Sequence, residues 1–108
     1  MGMMLYFYIL ETAKDGKPVL KSEPYEAENK DGLIRPAKGV FFPPAVGGLT
    51  LECHLGKVIG TKNSPVVVLR EPDLKKARQL LAQHVQSKIA HYQERTEAWS
   101  RMLKAVGA

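Results

Sequence analysis

The chain is poor in cysteine. Its one thiol, Cys53, excludes an internal disulfide, whereas small secreted domains usually reinforce a thin core with several bridges. A reducing compartment is favoured, and the expected location is cytoplasmic. Long apolar runs are missing too. The stretch Met3 to Leu10 is about a third to a half of the ~20 residues that a membrane-spanning helix requires. It lacks a basic region before it and a small-residue cleavage site, so it does not read as a signal peptide. Gly2 invites a myristoylation reading, but that motif wants Ser or Thr where Tyr6 stands. A buried first strand is expected instead, with no membrane partner.

Acidic residues are scarce in one half only. Residues 1–54 carry six Lys/Arg and seven Asp/Glu, a balance of −1; residues 55–108 carry ten and four, a balance of +6. The excess positive charge could attract nucleic acid, an anionic membrane or an acidic partner. It could equally be a solvated helix face. Apolar residues make up 44% of the 108 and charged residues 25%, ordinary values for a chain that folds around one core. A single domain over 1–108 is expected.

The first seventy residues read as strands. Tyr6, Phe7, Tyr8 and Ile9 lie inside a continuous apolar run that suits a central strand buried on both faces. Asp15-Gly16 supplies a hairpin turn, and Val19 to about Glu28 can return antiparallel. Pro18 and Pro24 make that return an edge or bulged strand. Asn29 to Gly32 is a second turn, Leu33 to Phe42 holds one or two short strands, and Pro43 to Gly48 is a loop. In Leu49 to Cys53 the alternation predicts Leu49, Leu51 and Cys53 on the buried face. Lys57 to Thr61 and Val66 to Leu69 complete five or six strands, enough for a small barrel or a twisted meander.

The last third changes character. From Leu74 there is no proline, and no glycine until Gly107. Pro72 suits the first helical position and Asp73 the positive end of the dipole. Steps of 3.6 residues from Leu74 land on or beside Ala77, Leu81, Val85, Ile89, Tyr92, Thr96, Trp99, Leu103 and Val106. The fold class is therefore α+β: a small antiparallel β meander or barrel-like body over 1–70, then one long amphipathic helix over 72–106.

Such a helix spans roughly 50 Å, against a diameter of about 28 Å for a body of that size. Some 20 Å of an unbroken helix would project. Leu74, Ala77, Leu81, Val85 and Ile89 form a first patch suited to the body, and Gln93 to Thr96 a polar break. Beyond it Trp99, Met102, Leu103 and Val106, with Tyr92 at the break's near side, would lack intrachain cover. Clusters of this kind dock on something. The partner expected is a second copy, giving a homodimer, since symmetric dimers are the commonest oligomers, or another protein. A helix that kinks at the break and folds back would instead bury Trp99 at home.

The constellations that suggest chemistry fail on spacing. Cys53 and His54 are adjacent, and on a strand adjacent side chains point to opposite faces, so they form no thiol–imidazole dyad. His84 and His91 are two helical turns apart, about 10 Å, too far to share a zinc ion. Gly56 to Lys62 has three residues between its glycines and Thr61 before Lys62, so it is no phosphate-binding loop. Glu23, Glu26 and Glu28 read as solvated carboxylates. The aromatics Tyr6, Phe7, Tyr8, Tyr25, Phe41 and Phe42 lack the interleaved cations of a base-stacking platform and fit a core. No catalytic, metal or cofactor site is expected, and the chain reads as non-enzymatic. The alternative is a nucleic-acid-binding accessory protein, with Lys75, Lys76, Arg78, Lys88, Arg95, Arg101 and Lys104 tracking phosphates.

Gly56-Lys57-Val58, then Val66-Val67-Val68-Leu69, Glu71, Asp73 and an alanine/leucine-rich helix resemble a group of small uncharacterised proteins. These occur in phages and prophage-like regions of Gram-positive bacteria. The opening Tyr6 to Glu11 and its hairpin extend the resemblance to both ends of the chain, while Pro43 to Gly48 has no counterpart. The resemblance implies a mobile-element accessory protein with a β-rich body and a helix. It brings no activity and no functional residues.

Overall fold

The computed structural model describes residues 2–43, 46, 49–60 and 64–107. Six strands run as β1 (Gly2–Thr12), β2 (Pro18–Lys30), β3 (Leu33–Pro36), β4 (Thr50–Leu51), β5 (Val58–Gly60) and β6 (Pro65–Leu69), followed by one helix, α1 (Leu74–Val106). They form a single antiparallel sheet in the order β4-β3-β2-β1-β6-β5, curled into a half-barrel. The fold is α+β.

Turn chemistry sets the first three strands. Gly16 takes φ 84° in the β1–β2 turn, where the Asp15 carboxylate also accepts from the Lys17 amide at 3.0 Å. In the β2–β3 turn both central residues, Asp31 and Gly32, have positive φ, as the tightest two-residue hairpins demand. The Asn29 side-chain oxygen accepts from the Gly32 amide there. The β1–β2 register is unbroken from Gly2 opposite Glu28 to Thr12 opposite Pro18, so β2 carries no bulge. It pairs with β3 only over Ala27 to Lys30. Pro24 thus sits where one side of the strand is an edge, and its missing N–H costs no sheet bond.

Both faces of β1 are buried. Leu5, Phe7 and Ile9 point into the half-barrel with Ala27, Ile34, Phe42, Val66 and Val68. Phe7 is wholly enclosed, its ring centroid 5.1 Å from that of Tyr25 and 4.9 Å from that of Phe42. From the opposite face Tyr8 meets Val67, Leu69, Ala77 and Leu81, which is where α1 lies on the sheet. The alternate burial faces of one central strand therefore serve two separate cores.

The strand expected over residues 49–53 is present but shorter. Only Thr50 and Leu51 are extended, and Glu52–His54 form a 3-10 turn. Burial is also reversed: Thr50 is 7% exposed, while Leu49, Leu51 and Cys53 are exposed. Pairing explains the reversal. Thr50 lies across from Ile34, which faces the half-barrel, and Leu51 across from Leu33, which faces outward where no helix covers the sheet. Cys53 and His54 are consequently not on a strand, and the opposite-faces argument does not apply to them. The reading of Pro43 to Gly48 as a loop falls largely outside the described residues, as does the end of the expected strand at Thr61.

The helix begins two residues later than expected, at Leu74. Asp73 is its N-cap, with its carboxylate accepting from the Lys76 amide at 3.0 Å, and Pro72 precedes the cap rather than opening the helix. Gly107 closes it in the left-handed region, φ 84°. Between these caps the helix is continuous for 33 residues, about 50 Å. The molecule measures 64 × 32 × 24 Å with a radius of gyration of 17.7 Å, well above the about 13 Å of a compact chain of this length.

Candidate interaction surface

The base of α1 is fixed to the sheet. Ala77 and Leu81 are buried, and Leu80, His84 and Val85 are half-buried. The Asp73 amide donates to the Tyr8 hydroxyl at 2.9 Å, so a tyrosine inside an otherwise apolar strand ties the first turn down. Its hydroxyl was the available signal, since a buried tyrosine needs a partner. A second tie joins the two sides of the curled sheet: the Arg70 guanidinium beyond β6 pairs with the Glu52 carboxylate just past β4. Asn29 and Arg70 together hold that carboxyl below its ordinary range.

The first expected patch is only partly covered. Its middle, Ala77 and Leu81, is sealed and Val85 half so, but Leu74 and Ile89 stay 44% and 51% exposed. The sheet is too narrow along the helix to reach both ends. Beyond Val85 the first hairpin and the start of β6 are the nearby parts of the body among the described residues. Leu10, Thr12 and Pro18, together with Pro65, face His84, Lys88, Ile89 and Tyr92 across an open groove of about 300 Å³. This groove was not foreseen, because its residues are drawn from three distant stretches of chain.

Past the groove the helix stands alone. From Gln93 to Val106 every residue is exposed, a rise of about 21 Å at 1.5 Å per residue. Thr96 donates its hydroxyl to the Tyr92 carbonyl at 2.9 Å, and the helix continues unbroken through the polar break. Trp99 is 65% exposed, Met102 55%, Leu103 58% and Val106 80%. At 100° per residue, Trp99 lies on the same line as Leu81, and Tyr92, Leu103 and Val106 within about 40° of it. Val85, Tyr92, Trp99 and Val106 recur every seven residues, the spacing of a helix–helix seam. The projecting apolar face is thus the outward continuation of the face that packs on the sheet.

The positions flanking this face decide what could lie against it. Gln93, Thr96, Ser100 and Ala98 are uncharged, and Arg95 is the one cation near its centre. Arg101 and Lys104 fall on the far side. The seven helix cations, Lys75, Lys76, Arg78, Lys88, Arg95, Arg101 and Lys104, are exposed but encircle the axis, so no single face gathers them into a phosphate track. His84 borders the groove, while the His91 ring stands 5.7 Å from that of Tyr92. Among the described residues no cluster of three metal-ligating side chains forms, and no helix is long and apolar enough to cross a membrane.

Compared with family models, with curated proteins and with solved structures, the chain matches none.

Proposed function

We propose that the chain is a non-enzymatic interaction module that associates with a second copy of itself through the projecting part of α1. The observation that carries this reading is the exposed Trp99, Met102, Leu103 and Val106 on an unbroken helix. With Ile89 and Tyr92 these side chains offer on the order of 700 Å² of surface, near the about 800 Å² that each partner buries in a standard interface. The nearly uncharged flanks let two like-charged copies approach without facing cations, apart from Arg95 and, in the groove, Lys88. A reducing, cytoplasmic setting fits the lone exposed thiol, and an accessory role in a mobile element fits the resemblance to phage-type proteins.

Light scattering tests the reading. A mass of twice 12.0 kDa is expected, falling to the single-chain value in Trp99→Ala/Leu103→Ala with an unchanged circular dichroism spectrum. A single-chain mass for the unaltered protein at high concentration sinks it. The alternative, nucleic-acid binding by the basic helix, requires a band shift whose strength falls steeply between about 50 and 200 mM salt.

A further inference from the structure

The face that projects is also the face that carries the body, and this restricts how two copies can meet. In a parallel pairing both bodies would sit at the same end, each occupying the place that the other helix must take. An antiparallel pairing has no such conflict. The partner helix enters the open space beneath the overhang, and its own body lies beyond the end of the first helix. Resting on the self-association proposed above, we infer that the dimer is antiparallel, with a two-fold axis beside Trp99, and that the end of each helix seats in the groove at the root of the other.

Lengths set the register. The overhang runs from Gln93 to Val106, and its midpoint falls between Trp99 and Ser100. When two overhangs overlap fully, Trp99 meets its own copy near the axis and Thr96 lies across from Leu103. Val106 then arrives beside Tyr92 of the second copy. Tyr92 is one wall of the groove, and Thr12 and Pro18 of the first hairpin are the other. The groove is open, about 300 Å³; Leu10, Pro18, Val85 and Ile89 offer carbon to an apolar helix end, and Glu11 and Lys88 share the same lining. A valine there finds carbon on both sides, whereas in the single chain it is 80% exposed. Isologous closure also follows: each copy supplies one helix end and one groove, and no sticky surface is left to propagate a filament.

Cysteine cross-linking in a Cys53→Ser background tests the arrangement. Val106 and Thr12 are both exposed, so Val106→Cys and Thr12→Cys leave the fold intact. In the antiparallel dimer the two copies of position 106 are about 20 Å apart, beyond the about 7 Å that a disulfide tolerates between Cα atoms. Mild oxidation should therefore leave Val106→Cys alone uncross-linked. An equimolar mixture of the two variants should yield a covalent heterodimer. A Val106→Cys dimer linked to itself overturns the antiparallel arrangement. A non-covalent dimer in which the mixture gives no heterodimer overturns the seating of the helix end. If light scattering on the parent protein shows one chain, the self-association on which the inference rests has failed instead.

Discussion

The two halves of α1 share one apolar stripe, yet they live in different surroundings. Ala77 and Leu81 are sealed against Tyr8, Val67 and Leu69; Trp99, Leu103 and Val106, more than two heptads further along the same face, are exposed and belong to neither core cluster. Amphipathic periodicity therefore marks an apolar face without saying whether the body covers it. Length decides that: a six-stranded half-barrel supports about the first third of a 33-residue helix.

Substitutions sharpen the contrast, and the largest effect belongs to the body. Phe7→Ala empties a fully enclosed site against Tyr25 and Phe42 and should cost about 3–5 kcal/mol by chemical denaturation. Leu81→Ala, at the sealed part of the stripe, should cost about 2–4 kcal/mol. Leu103→Ala, the same change on the projecting part, should stay within about 0.5 kcal/mol in dilute samples while weakening assembly. Equal losses at positions 81 and 103 in dilute solution would erase the distinction between the two halves. Asp73→Ala removes the N-cap bond to the Lys76 amide and should cost about 1 kcal/mol; Asp73→Asn should restore most of it.

The smallest effect concerns Glu52. Its carboxyl is held low by Asn29 and Arg70, so the stabilisation is complete above the ordinary glutamate range and is lost as pH falls through the lowered folded value. Glu52→Gln should flatten the acid limb of a melting-temperature profile and lower the melting temperature slightly at neutral pH. An acid limb identical to that of the parent would mean that the clasp contributes nothing to stability.

Much of this architecture was legible because its signals are local. Asp15-Gly16 and Asp31-Gly32 announce two tight turns, and the absence of glycine between Leu74 and Gly107 announces the helix. The misreading at residues 49–53 has a non-local cause. Alternation says that two faces differ, but which face is inward was set by Ile34 across the strand pair. The placement of β6 beside β1 joins residues some sixty positions apart, and no pattern within either strand encodes it. The projecting surface at Tyr92, Trp99, Met102, Leu103 and Val106 was readable as a ratio of lengths. The groove at its root was not, since Thr12, Pro65 and Tyr92 share a border only after the fold is complete.

The chain holds one tryptophan, and it stands at the centre of the projecting face, so its emission is the most direct measurement. With self-association, the Trp99 spectrum is blue-shifted at high concentration and moves to the red on dilution, at the same concentration at which the scattered mass halves. A water-exposed spectrum that does not change with concentration, from a protein that stays a single chain, would contradict the account.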